Sequence, residues 1–500
     1  MAKCLLINPT VRAEDVPRHV PYGIALLAAI AIRDGHQVQV FDQNAHRTGE
    51  DTLVEVLKAD SWQVIALGGI TTAYGSIKHI VAVAREVCPQ ALIVLGGGVL
   101  TSLPHEIMGF LQQVDVGVVG EAFETFPEIL KAVDEGRADW LAIPGTISRL
   151  GLSPQRKLIH DLDSLPYPAW HLFPLEEVYF PNSQVLFSEE GMLARRRLDI
   201  NSSYGCSLIC RYCYHLGIAG DMRYEGDRVA FDEPGTYTRT IRYHSPSYIV
   251  GLIKYAYDTY KVDFIGFLDE NLMTMDAFSK RTWMKAICEG LIAEGLAPTC
   301  VRDGVEHDEN CRGIHWSGTS HATLCNQEIL KLMRRAGCSH LVYGYESFSP
   351  HVMKTIGKGA TPASNERSFF WTLEAGIRPI PNQIIGFPVE DFKSIYENMD
   401  AWKRLGIVVK PFFATPYPGS EWFTVYRQRI LEQYGGDLEA YLLDLGDATK
   451  ITAVISKNFN AVELLGLREA MVNFDYKHIR EYERLYRREA EGVENASTVQ

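Results

Sequence analysis

Residues 202–215 read SSYGCSLICRYCYH and set Cys206, Cys210 and Cys213 three and then two residues apart. Thiolates are soft ligands that favour iron–sulfur clusters or zinc over hard cations. Three of them in so short a stretch fit three corners of a four-iron, four-sulfur cube and leave the fourth iron open to a substrate. Structural zinc is the competing reading; it wants four ligands, and His215 stands ready as the fourth. A disulfide framework does not suit three thiols crowded into one loop, in a chain that opens on the strand-like CLLIN without a charged leader.

The rest of the composition sets bounds. A chain of 500 residues exceeds one core and predicts two to four domains. A formal net charge of −13 argues against a nucleic-acid partner, and the basic run Arg195–Arg197 reads as a solvated loop before a strand. The longest apolar run, Ile24–Ile32, is too short to span a bilayer, so no membrane and a reducing cytoplasm are expected. The other seven cysteines, Cys4, Cys88, Cys288, Cys300, Cys311, Cys325 and Cys338, show no paired spacing, and most of them read as small buried hydrophobes.

Upstream of the cysteine loop, residues 1–135 alternate short apolar runs with helical patterns. The expected strands are Cys4–Asn8, Gln37–Phe41, Val64–Leu67, Leu92–Leu95 and Val114–Val119, with helices between them and Thr125–Glu135 following. That alternation predicts a doubly wound, Rossmann-like parallel sheet. Ligands of such sheets sit at the carboxyl ends of the strands. Here those ends carry Gly68-Gly69-Ile70-Thr71-Thr72, Gly96-Gly97-Gly98 and Gly120-Glu121. No GxGxxG follows the first strand, which disfavours a dinucleotide. Residues 136–195 are expected to be an irregular linker, with Leu165–Trp170 (LPYPAW) in extended form.

Downstream, six strand–helix steps over 196–425 predict a partial (β/α)6 barrel, and 426–500 a mostly helical C-terminal region. The cysteine loop falls at the carboxyl end of the first barrel strand. Cys300 and Cys311 lie in the helix-to-strand segment 294–312, which places them at the opposite rim and weakens any role in a second cluster. The other strand ends carry Asp269-Glu270-Asn271, Gly344-Tyr345-Glu346-Ser347, Gly386-Phe387-Pro388 with Glu390, and Thr415–Gly419. Carboxylates on such a rim suit an ammonium or a pair of ribose hydroxyls, and glycine and proline shape a close-fitting backbone.

With these segments in view, CSLICRYC resembles the CxxxCxΦC signature of radical S-adenosylmethionine enzymes, Tyr212 taking the aromatic position. LDEN, YGYES, IIGFPVED and ATPYPGS are similar to the later strand-end segments of that superfamily. The first 135 residues resemble the cobalamin-binding domain attached to many of its members, and DLDSLPYPAW resembles their linker. The pair resembles the B12-dependent class, which is dominated by methyltransferases and includes the anaerobic porphyrin ring cyclase. The resemblance implies a [4Fe-4S] cluster on Cys206, Cys210 and Cys213. It implies S-adenosylmethionine near Tyr212, Glu270, Gly344 and Glu346, with its adenine shaped by Gly386 and Pro388. Cobalamin is implied at Thr71, Thr72, Gly96, Gly97, Gly98 and Gly120.

The activity so implied is methyl transfer to an unactivated centre of a small molecule through a 5'-deoxyadenosyl radical, as in natural-product biosynthesis. It calls for a low-potential electron donor such as flavodoxin or ferredoxin. A non-methylating B12 radical enzyme shares every motif, and a zinc-stabilised or cobalamin-sensing binding protein is the alternative from another class. Three departures stand out. The DxHxxG motif is missing, Asp42 and His46 being spaced D-x-x-x-H, so cobalt is expected to lack a protein histidine. His321 stands where an arginine often follows the third barrel strand, and Val389 where glycine is common.

Overall fold

The computed structural model describes residues 1–208, 210–213 and 241–497, together with the backbone of two short strands between 214 and 240. His215 lies outside the described residues. The first sheet contains β1 (Lys3–Asn8), β2 (Gln37–Asp42), β3 (Val64–Gly68), β4 (Leu92–Gly96), β5 (Val116–Val118), β6 (Thr146–Ser148) and β7 (Gly151–Leu152), in the order β2-β1-β3-β4-β5-β6-β7. β1 to β5 run parallel, and their side chains alternate between two cores. Leu5, Ile7, Ile65, Leu67, Ile93 and Leu95 face one, while Cys4, Leu6, Val64, Ala66, Val94 and Val116 face the other. A sheet covered on both faces needs apolar residues at every position, which is why these strands read as continuous runs.

β6 and β7 lie within the stretch expected to be irregular. They form an antiparallel extension, Ile147 pairing with Gly117 and Leu152 with Ile147. Strands of three and two residues are too short to show a period of two. Gly117 makes the pairing possible, because a Cβ there would lie 2.5 Å from Ile147 Cγ2.

The second unit begins with β8 (Arg197–Ile200) and β9 (Ser203–Tyr204). After the short β10 (Arg223–Glu225) and β11 (Arg228–Ala230), β12 (Arg242–Tyr243) pairs antiparallel with β9. Then come β13 (Phe264–Phe267), β14 (His315–Ser320), β15 (Cys338–Glu346), β16 (Arg378–Ile385) and β17 (Phe412–Phe413). The order β17-β16-β15-β14-β13-β8, parallel at every step, is the six-stranded partial barrel read from the sequence. The mostly helical C-terminal region closes with two helices, Ala461–Val472 and Tyr476–Ser497. Phe474 sits at φ 52°, and the Asp475 carboxylate accepts from His478 N at 3.0 Å, capping the second.

The two units share hydrophobic cores. Val20, Tyr22, Leu26 and Ile30 pack with Leu198, Ile265 and Trp316 of the barrel. Ile77, Leu95 and Val99 join Val352, Met353, Ile356, Phe387, Trp422 and Tyr441. The carboxyl ends of both sheets meet at this junction. Glu121, just past β5, pairs with Arg242 of β12 at 2.8 Å, and the Phe123 ring meets Tyr204 of β9 edge-on at 5.6 Å.

Candidate active site

The cysteine loop follows β9, so its position is set by the strand that meets the first sheet. Cys210 is buried, and Cys206 and Cys213 are half-buried. Cys213 N donates to the Cys210 carbonyl at 3.0 Å, and Arg211 is pinned on both sides: its N–H to Ile356 O at 3.2 Å, its carbonyl to Trp422 N at 3.3 Å. Burial pushes the Cys210 thiol up, against the pull of the Lys358 ammonium. Three thiols carried on one loop, with a buried cation near Cys210, suit an anionic, thiolate-held cluster.

Lys358 is the residue that sequence reasoning missed. Its Nζ donates to Glu346 Oε1 at 2.7 Å and to Tyr212 Oη at 3.1 Å, and Tyr212 Oη donates to the same Oε1 at 2.9 Å. Lys358 and Glu346 are both buried. Burial works against the ammonium, yet Glu346, then Cys210, outweigh it and hold its pKa above the usual lysine value. Glu346 reaches this position through a bulge in the β15–β16 register and a left-handed φ of 61°, costly for a non-glycine residue. Gly344 clears the space: a Cβ there would overlap the Glu346 carboxylate and lie 2.6 Å from Lys358 Nζ. The cue, a lysine twelve residues beyond a strand-end glutamate, carries no recognisable spacing.

The neighbouring strand ends contribute differently. After β13, Asp269 is consumed by the chain itself, accepting from Ser202 N at 3.1 Å, Ser202 Oγ at 2.7 Å and Ser203 Oγ; burial pushes its carboxyl up to about 6. Glu270 beside it is half-buried, and both polar atoms of the Asn271 amide are buried without a hydrogen-bond partner. After β14, His321 Nδ1 lies 2.8 Å from Thr323 Oγ1, while Nε2 is buried and unpartnered. Burial, then Lys358, hold this imidazole down to about 3, so it is neutral where an arginine would carry charge. After β16, Gly386 adopts φ 94° and donates its N–H to Glu390 Oε2 at 2.5 Å, and Pro388 O accepts from Lys457 N at 3.2 Å. Between them the Phe387 ring contacts Tyr212, 6.1 Å between centroids, which ties this loop to the cysteines.

In the first sheet the glycine loops lie backbone against backbone. A Cβ on Gly97, at φ 81°, would sit 2.7 Å from Gly69 N and O, and one on Gly68 would sit 2.9 Å from Gly96 O. Val99 N donates to Gly69 O at 3.0 Å, and Gly120 N donates to Thr101 Oγ1 at 3.0 Å. The turn Thr71–Ala73 follows β3; Thr71 Oγ1 is buried with no partner, and Thr72 is half-buried. A flat edge of close-packed backbone with an orphaned hydroxyl suits a large ligand laid across the strand ends. Asp42 is engaged by Asn8 Nδ2 (2.7 Å), Ala45 N (2.9 Å) and Tyr179 Oη (2.5 Å), and His46 is exposed.

Comparison with known proteins agrees with this geometry. The B12 binding domain model matches residues 9–130, and the Radical SAM superfamily model matches residues 200–401. The chain is 25% identical over 411 residues to an uncharacterized methyltransferase of Pyrococcus horikoshii, covering 80% of this chain and 77% of that protein. It is 24% identical to the anaerobic magnesium-protoporphyrin IX monomethyl ester cyclase of Synechocystis, over 73% of this chain and 65% of the cyclase. The radical S-adenosylmethionine methyltransferase TsrM of Kitasatospora setae, solved with cobalamin and a [4Fe-4S] cluster, shares the fold. Its TM-score is 0.64 at 16% identity, over 86% of this chain and 76% of TsrM. The chain thus carries a B12 binding domain and a Radical SAM superfamily domain, the pair of domains found in cobalamin-binding radical S-adenosylmethionine enzymes, which it resembles in sequence and fold.

Proposed function

We propose that the chain is a cobalamin-dependent radical S-adenosylmethionine methyltransferase acting on a small molecule held between the two sets of strand ends. The observation that carries this reading is the junction itself: Glu121–Arg242 and Phe123–Tyr204 bring the glycine edge of the first sheet to the strand that launches the cysteine loop. Cys206, Cys210 and Cys213 would hold the cluster. Thr71, Thr72, Gly96, Gly97, Gly98 and Gly120 would receive cobalamin, without the DxHxxG histidine that the sequence lacks. When bound, these groups and S-adenosylmethionine supply reductive carbon–sulfur cleavage and a transferable methyl group.

The protein's share is placement. Glu270 and Asn271 would take the ammonium and carboxylate of S-adenosylmethionine, the Asn271 amide having both atoms uncommitted. Glu346 has its charge balanced by Lys358 on Oε1 and would offer Oε2 to a ribose hydroxyl. Tyr212, Gly344, Gly386 and Pro388 would form the wall against the nucleoside, fixed from behind by Glu390. Lys358 orients Glu346 and opposes the negative charge of the thiolates. A low-potential donor of the flavodoxin or ferredoxin kind is the electron source this chemistry requires. We divide the chain into a cobalamin unit (1–135), a connector (136–195) whose first part completes the sheet, a barrel (196–425) and a helical C-terminal region (426–500).

The test is anaerobic incubation of reconstituted enzyme with a strong reductant, hydroxocobalamin, candidate substrates and S-adenosylmethionine deuterated in the methyl group. Labelled product with matching 5'-deoxyadenosine supports the reading. Deoxyadenosine with unlabelled product assigns the chain to the ring-forming or oxidising alternative, as the cyclase relatives would suggest. Colourless protein that cleaves nothing overturns both.

A further inference from the structure

At the opposite rim of the barrel, four side chains from one sixteen-residue stretch converge: Cys300, His307, Cys311 and His315, whose ligand atoms all lie within 4.8 Å of one another. Cys300 ends up here through the short helix Thr299–Asp303, and His315 opens β14. Cys300 Sγ lies 3.5 Å from His307 Nδ1 and 3.4 Å from His315 Nε2, and Cys311 Sγ lies 4.0 Å from His315 Nε2. Around a tetrahedral zinc, sulfur and nitrogen ligands stand about 3.6 Å apart, given Zn–S near 2.3 Å and Zn–N near 2.0–2.1 Å. The four atoms therefore already outline a coordination shell.

We propose that Cys300, His307, Cys311 and His315 form a structural zinc site, separate from the cysteine loop that serves the radical chemistry. Two further features fit a thiolate pair rather than two buried hydrophobes. Cys311 Sγ is met by two donors, Cys300 N at 3.5 Å and Thr299 Oγ1 at 3.6 Å, both closer than the acceptor beside it, the Arg312 carbonyl at 3.8 Å. Gly313, at φ 101°, turns the chain between the third and fourth ligands where a Cβ would lie 2.8 Å from the Leu296 and Ala297 carbonyls. Cys300 and His315 are buried, Cys311 and His307 half-buried, which leaves an entry route and no open coordination position of the catalytic kind. Binding is Zn²⁺ exchanged for the two thiol protons, which pass to solvent. The metal would staple the connection 294–314 beneath β14.

Metal analysis of the full chain tests this. One equivalent of zinc is expected in the wild type and equally in a Cys206→Ala/Cys210→Ala/Cys213→Ala variant, with loss of that equivalent in Cys311→Ser. Should Cys311→Ser fail to fold, cobalt loading of the triple variant serves instead. Tetrahedral d–d bands with thiolate-to-cobalt charge transfer at one equivalent support the site. A triple variant that takes up neither zinc nor cobalt, that holds iron there, or whose intact mass shows a Cys300–Cys311 disulfide in anaerobically purified protein overturns it.

Discussion

Two thiol sites occupy opposite ends of one barrel, and they were legible to very different degrees. The cysteine loop at the carboxyl ends packs its ligands into eight residues, Cys206 to Cys213, in a spacing that has chemical meaning on its own. The Cys300–His315 cluster spreads two residue types over sixteen positions, and only the fold brings them together. Taken one at a time, its cysteines show no paired spacing and resemble ordinary buried thiols. The helix-to-strand connection does carry them at the opposite rim, but cysteine spacing holds no mark of the two histidines that join them there. Compact motifs declare catalytic sites, while a staple can draw its ligands from anywhere the chain doubles back.

The largest expected effect separates the two sites. Replacing Cys206, Cys210 or Cys213 by Ala should cut 5'-deoxyadenosine formation by at least about a thousandfold, equivalent to about 4 kcal/mol of barrier. Iron analysis should fall with it while thermal stability of the barrel hardly moves. If cleavage survives, the loop is not the cluster site and the contrast fails. Next comes Lys358→Met. Removing one member of a buried pair strands the Glu346 carboxylate and should destabilise by about 3–5 kcal/mol, read by chemical denaturation. Glu346→Gln in the same chain should restore part of it. The Lys358 ammonium is held above its usual value, so this contribution is intact at neutral pH and fades only as pH climbs beyond the ordinary lysine range.

What the sequence disclosed follows the same division. Both sheets and their parallel order were readable, since continuous apolar strands alternate with helices from Lys3 to Phe413. The hairpin Thr146–Leu152 was not, because its strands are held by the edge of β5 rather than by their own pattern. The break at Phe474 was hidden inside good helical periodicity and shows only as a left-handed residue followed by the Asp475 cap. At the site, the cysteines and the strand-end glycines were visible as local motifs. Lys358 and Arg242 were not, for their roles rest on partners 12 and 121 residues away.

A third prediction probes how the adenine-side loop is held. Glu390 is fully buried, and burial pushes its carboxyl up to about 8 from an ordinary 4.5. Between those values the unfolded chain releases its proton and the folded chain retains it, so stability falls as pH rises through this window. Glu390→Gln keeps an acceptor for Gly386 N and removes the titration. It should flatten the pH dependence and gain up to about 4 kcal/mol at pH 8, with little change below pH 4.5. A wild-type stability profile already flat across that range would show that the carboxyl ionises freely.

The smallest effects sharpen the comparison most, because they apply one substitution to both ends of the barrel. Gly344→Ala sets a methyl against the Glu346–Lys358 pair, and Gly313→Ala forces a left-handed turn against two carbonyls. Each should cost about 1–3 kcal/mol, the usual range for backbone strain of this kind. Stability alone therefore does not tell them apart, but chemistry does. Gly344→Ala displaces the carboxylate proposed for the ribose and should raise the KM for S-adenosylmethionine, while Gly313→Ala should leave that KM unchanged and weaken retention of zinc against a chelator. Swapped outcomes, with zinc lost from Gly344→Ala or KM raised in Gly313→Ala, would mean that the two rims are coupled through β14 and β15 and that the staple helps shape the active end.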